Sequence, residues 1–162
     1  MSHKPQSTRS HRLLALGGWV ALCFAAAAVG GLCGPGDWYA ALQKPAWNPP
    51  GWVFGPVWSA LYTLMAVAAW LVWQQGGWSK QRQPLLIFSA QLALNAGWTP
   101  LFFGWHRPDL ALAEIILLWL AIAWTSAAFW RVHRPAAWLL APYLAWVSFA
   151  AVLNGWLWRL NR

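Results

Sequence analysis

The stretch WVFGPVWSALYTLMAVAAWLVW, residues 52–73, holds 22 consecutive residues without one Asp, Glu, Lys or Arg. A helix of about 20 apolar residues crosses the hydrocarbon core of a bilayer. A soluble core helix is shorter and shows a charged face. The stretch therefore reads as a transmembrane helix.

The rest of the chain repeats the pattern. Four further apolar runs cover about residues 13–33, 84–104, 110–130 and 137–158. Short polar joints separate them, except between the first two. A β-barrel would alternate over segments of about ten residues, and these runs are continuous. The 162 residues are 60% hydrophobic and 9% charged, whereas a soluble domain carries about 25% charged residues. The expected fold is an all-α integral membrane protein, a bundle of five transmembrane helices. Residues 1–12, MSHKPQSTRSHR, read as a mobile polar tail, and residues 13–162 as one membrane domain. The first run is longer than a signal-peptide core, so it is expected to stay in the protein.

The net charge is +8. Such a balance suggests nucleic acid in a soluble protein. Here the basic residues sit at span ends, and no nucleic-acid partner is expected. Of 11 Lys and Arg, 7 fall in the tail and in the joints at Lys80 and Arg82 and at Arg131 and Arg134. The positive-inside rule puts that side, with the N-terminus, in the cytoplasm.

Upstream of the opening run, residues 34–51 join the first two spans. The longer piece WYAALQKPAWNPPGWVFGPVW, residues 38–58, sets Trp38, Trp47, Trp52 and Trp58 among Pro45, Pro49, Pro50 and Pro56. Proline fixes φ and lowers the entropy lost on ordering. Tryptophan supplies wide apolar area with one N–H. The stretch reads either as a semi-rigid lid, with Asp37 and Lys44 paired across it, or as an interfacial anchor. Asn48 before Pro49 reads as a helix N-cap.

Pro56, Pro100 and Pro142 fall inside runs two, three and five and predict kinks. On the same three runs, helical spacing groups polar and aromatic residues. Trp58 and Tyr62 share a face, as do Gln91, Asn95 and Trp98. Tyr143, Trp146, Ala150, Leu153 and Asn154 follow suit. Such faces serve either interhelical hydrogen bonding or a ligand pocket. Trp58, Trp98 and Trp146 lie deeper than an interfacial belt, which fits a cavity reached from the lid side. Glu114 is the one acid well inside a run; it reads either as a substrate or proton site or as a carboxylate near a helix N-terminus, paired with Arg107.

No metal is expected, because no Cys/His metal spacing occurs. Cys23 and Cys33, about 15 Å apart along a helix, do not form a disulfide. The histidines, His3, His11, His106 and His133, fall in tails and joints, which excludes a haem held by two intramembrane His ligands. No conventional catalytic centre is visible.

The 38–58 stretch closely resembles the signature of the TspO/MBR family, the tryptophan-rich sensory proteins and translocator proteins. QLALNAGWTPLFFG, residues 91–104, and APYLAWVSFAAVLN, residues 141–154, also resemble it, in order and spacing. The resemblance implies a dimeric five-helix bundle with a ligand cavity capped by the first loop. It implies porphyrin-type ligands, protoporphyrin IX or haem, with no obligatory cofactor, and a bacterial cell membrane. By motif, the ligand-binding residues would be Trp47, Trp58, Tyr62, Gln91, Asn95, Trp98, Tyr143, Trp146, Ala150 and Leu153. Gly155 departs from the tyrosine of the animal members' cholesterol motif, which argues against cholesterol. The leading expectation is a membrane receptor or sensor for tetrapyrroles. Two alternatives stay open. One is light-dependent porphyrin degradation, with Trp58 and Trp146 as photochemical candidates. The other is a small exporter of tetrapyrroles or sterol-like compounds.

Overall fold

A computed structural model describes residues 9–162 of the chain. In order, these form α1 (Arg9–Gly31), α2 (Asp37–Ala41), a 3-10 turn (Gly51–Val53) and α3 (Phe54–Trp73). There follow α4 (Gly77–Thr99), a π turn (Pro100–Gly104), α5 (Pro108–Val132), α6 (Arg134–Leu139) and α7 (Ala141–Leu160). Five segments are long and apolar enough to cross a membrane: α1, the 3-10 turn with α3, α4 with the π turn, α5, and α6 with α7. The chain is a five-span helical membrane protein. Helix α1 packs on α3 and α4, α4 on α5, and α5 on α7.

The bundle is built as lipid demands. Its interior holds Met65 and Val72 of α3, Phe88 of α4, Ile122 and Phe129 of α5 and Tyr143 of α7, all sealed from solvent. Ala66, Ala68 and Ala69 are fully buried, and small residues let membrane helices approach closely. The outer face carries Leu117, Leu120, Trp124 and Val152, which lipid would cover. Hydroxyls on the spans donate to carbonyls one turn back, Ser59 to Gly55, Thr63 to Ser59 and Ser148 to Leu144, so these three donors are not left open to hydrocarbon.

Several local expectations change. The polar tail expected over residues 1–12 lies in part outside the described residues, as does His3. Arg9, His11 and Arg12 already belong to α1. Asn48 caps no helix: the 3-10 turn starts at Gly51 behind Pro50, and Asn48 Nδ2 donates to the Pro49 carbonyl. Pro56 stands in the first turn of α3, where its missing N–H costs nothing. Pro142 opens α7 after a break at Leu140 instead of kinking a helix interior. Of these three, Pro100 alone acts within a continuous span, where the helix widens to a π turn: the Trp105 N–H donates to the Pro100 carbonyl at 2.8 Å. Pro84 also lies inside that span, after a kink at Gln81. Two residues past the π turn stands His106, whose φ of +54° is left-handed. The ring of Trp38 stacks on His106 at 4.4 Å and holds it there.

Candidate functional site

Five helices and the first loop enclose a cavity of about 760 Å³ at the membrane side where α1 ends and α3 begins. Ligand pockets run from about 300 to 1,000 Å³. Its walls are rings: Phe24 of α1, Phe54 and Trp58 of α3, Trp98 of α4, Phe102 of the π turn and Trp146 of α7. Trp98 stacks on Phe102 at 5.0 Å, and Trp146 meets Phe54 edge-on at 5.8 Å. The cavity also needs a close approach of α1 to α4. A Cβ added to Gly30 would stand 3.2 Å from Thr99 Oγ1, so glycine sets that spacing.

The polar groups of the wall are paired with one another. The Tyr62 hydroxyl donates to Asn95 Oδ1. Asn95 Nδ2 donates to the Tyr143 hydroxyl at 3.0 Å, and that hydroxyl donates to Gln91 Oε1 at 3.1 Å. Trp98 Nε1 donates to Asn154 Oδ1 at 3.2 Å, and Asn154 Nδ2 donates to the Pro108 carbonyl at 2.7 Å. The first chain ties α3, α4 and α7 together near the start of α7, and the second ties α4, α5 and α7 nearer the lid. Buried groups satisfied in this way fix one arrangement of the helices. They also leave the interior surface apolar, with no Lys, Arg, Asp or Glu among its lining residues.

The lid is strapped down at three places. Trp38 lies on His106 and edge-on to Phe102, and Tyr39 meets Phe103 at 5.3 Å. The Tyr39 hydroxyl donates to Asn48 Oδ1 at 3.3 Å, and burial raises its pKa above the ordinary tyrosine value. Gln43 and Asn161 exchange two hydrogen bonds. The expected Asp37–Lys44 pair is not formed. Lys44 Nζ instead donates to the carbonyls of Ala40 and Leu42 and stands 4.8 Å over the Tyr39 ring. Sideways, Ala28 and Gly31 of α1 and Gly55 and Ser59 of α3 line the cavity yet are exposed. The cavity thus opens between these two helices.

Of the residues singled out from sequence, Trp58, Tyr62, Asn95, Trp98, Trp146, Ala150 and Leu153 line the cavity together. Gln91 and Tyr143 do not; they stand one layer behind and hold Asn95 and Tyr62 in place. Trp47 is also absent from the wall, being exposed and edge-on to Phe149 at 5.8 Å. Phe24, Phe54, Phe102 and the lid's Tyr39 and Asn48 line it without having been singled out. Glu114 has no Arg107 partner. Arg107 binds Asp109 at 2.6 Å, two residues on, and both Glu114 oxygens are buried without a hydrogen bond. Cys23 and Cys33 are both free. Among the described residues, no group of three His, Cys, Asp or Glu is placed to hold a metal.

A five-span membrane bundle with a loop-capped, aromatic-walled cavity is thus the class of molecule that the fold and site define. Residues 19–159 match the TspO/MBR family. The chain is 47% identical over 126 residues to the translocator protein of Homo sapiens, covering 76% of this chain and 75% of that one. It is 43% identical to the tryptophan-rich protein TspO of Chlorobaculum tepidum, over 93% of this chain and 98% of that one. It is 45% identical to the tryptophan-rich sensory protein of Cereibacter sphaeroides, over 88% and 89%. The chain belongs to the TspO/MBR family.

Proposed function

We propose that this protein is a membrane receptor or sensor that holds a porphyrin-type tetrapyrrole, protoporphyrin IX or haem, in the lidded cavity. The observation that carries the reading is the 760 Å³ space walled by rings whose polar neighbours already satisfy each other. Such a wall suits a flat apolar macrocycle. Offset stacking on an indole adds about 0.5–1.5 kcal/mol per ring beyond area burial. The ligand's carboxylates would stay at the mouth, since the interior offers no cation. The name of one bacterial relative, the tryptophan-rich sensory protein of Cereibacter sphaeroides, supports a sensing role.

Protoporphyrin IX titrated into the purified protein should quench its tryptophan fluorescence and saturate at one per chain. Linear quenching without saturation would overturn the reading. The setting proposed with it is a bacterial cell membrane, with the start of α1 on the cytoplasmic side and the protein acting as a homodimer. Maleimide labelling of Ser79→Cys and Arg162→Cys, in a background without Cys23 and Cys33, checks the orientation. Ser79→Cys should react from the cytoplasm alone and Arg162→Cys from outside alone.

A second reading, light-dependent porphyrin degradation, draws support from Trp58 and Trp146, which both line the cavity. Each indole would stand beside a photoexcited macrocycle as an electron donor. Trp58→Phe and Trp146→Phe should then slow light-driven porphyrin loss far more than they weaken binding. An unchanged rate with binding intact would remove this reading and leave the first.

A further inference from the structure

At the opposite membrane side from the lid, a second hollow of about 580 Å³ runs along the outside of α1. His11, Leu14, Gly18 and Leu22 form one side, and Trp73 at the end of α3 and Trp78 at the start of α4 form the other. From His11 to Leu22 is 11 residues, about 16 Å of helix rise. That is about half of a 30 Å hydrocarbon core, the depth of one leaflet. The hollow is apolar along its length and ends at the ring of His11, which packs 5.5 Å from Trp73.

Gly18 decides what this hollow is. Glycine inside a helix costs about 1 kcal/mol relative to alanine. Membrane helices commonly use it where two backbones cross. No atom of the described chain lies within 4 Å of a Cβ added at Gly18, so no helix crossing within the bundle uses it. Its effect is to keep the floor of the hollow open.

The membrane side at which the hollow ends has one sign of charge. Arg9 lies at the start of α1, and Lys80 and Arg82 on the first turns of α4. The stem of Lys80 lies over Gly76, where a Cβ would meet its Cδ at 2.5 Å. The chain has three acids, Asp37, Asp109 and Glu114, and none is at this end of the helices. Basic residues beside a membrane attract anionic headgroups, by about 1 kcal/mol each.

We propose that this groove is a binding site for one anionic glycerophospholipid, with an acyl chain along Gly18 between Leu14 and Trp73 and the headgroup phosphate at Arg9 and Lys80. It is separate from the lidded cavity, and its occupant comes from the leaflet on the basic side. Depth selects an acyl chain, and charge selects the headgroup.

Native mass spectrometry of the whole protein, released from detergent with phosphatidylglycerol or phosphatidylcholine of matched chains, tests this. The wild type should retain one phosphatidylglycerol in preference to phosphatidylcholine. The Arg9→Ala/Lys80→Ala variant should lose that preference, by about five-fold for each charge removed. Gly18→Leu, which fills the floor, should lose the retained lipid of either kind while still binding protoporphyrin IX as the wild type does. A second measurement needs no change at Gly18. Phosphatidylglycerol brominated on its chains should quench wild-type fluorescence more than that of Trp73→Phe/Trp78→Phe. Equal retention of the two lipids by the wild type, undiminished retention by Gly18→Leu, or equal bromine quenching would each overturn the proposal.

Discussion

Gln43 in the lid and Asn161 at the end of α7 are 118 positions apart and hold each other by two hydrogen bonds. The Gln43 N–H donates to Asn161 Oδ1, and Asn161 Nδ2 donates to the Gln43 carbonyl, both at 2.9 Å. Asn161 Nδ2 also donates to the Leu157 carbonyl at 2.8 Å, which anchors the clasp to the last turn of the bundle. The first loop is thereby tied to the C-terminal end of the fifth span. The contact itself requires the lid and the C-terminus to share one side of the membrane.

Asn161→Ala removes both bonds. Each exposed neutral hydrogen bond contributes about 0.5–1.5 kcal/mol. Hydrogen exchange at the Gln43 amide should accelerate, while the thermal midpoint of the bundle barely moves. Porphyrin dissociation should quicken by about ten-fold, as loss of two such bonds implies. Unchanged exchange at Gln43 would show that Trp38 on His106 holds the lid unaided.

Asn95 accepts from Tyr62 and donates to Tyr143, both in the dry interior. Asn95→Leu leaves both hydroxyls short of a partner, and each such loss costs about 1–3 kcal/mol. The thermal midpoint in detergent should fall clearly. Pairing the change with Tyr62→Phe should recover part of the loss, because one orphaned hydroxyl disappears. A double mutant no more stable than Asn95→Leu alone would mean that the network does not act as a unit.

Glu114 is the converse case. Its carboxylate oxygens are buried and bond to nothing among the described residues. A polar group so placed costs about 1–3 kcal/mol. Glu114→Leu should therefore raise the thermal midpoint and leave porphyrin binding alone, since Glu114 is not in the cavity wall. A drop in the midpoint would reveal a partner of Glu114 in the assembled protein.

The apolar runs made the five spans readable, because hydrocarbon penalises any other composition. The ends were harder. Leu140 breaks the fifth span and Pro100 widens the third, and both depend on hydrogen bonds that composition does not report. Helical spacing put Gln91, Asn95 and Trp98 on one face, yet only Asn95 and Trp98 reach the cavity. Periodicity fixes direction around a helix, not how far a neighbouring helix stands away. Phe24, Phe54 and Phe102 gave no signal, because a phenylalanine facing lipid and one facing a cavity look alike in sequence. Arg107 chose Asp109 over Glu114 because the turn before α5 folds its guanidinium onto the nearer carboxylate, a matter of loop geometry.

The central claim is that the lidded cavity is where a porphyrin binds. Ala150 lines it from α7, beside Trp146 and Leu153. Ala150→Trp would fill the space without touching the buried Tyr62–Asn95–Tyr143 network. Protoporphyrin IX should be titrated against wild type and variant while tryptophan fluorescence is followed, with circular dichroism confirming that the variant is folded. The account predicts saturable binding to the wild type and a loss of at least about ten-fold in affinity for the folded variant, the 1.4 kcal/mol that one excluded ring contact represents. Equal affinity in the two proteins would place the porphyrin somewhere other than this cavity.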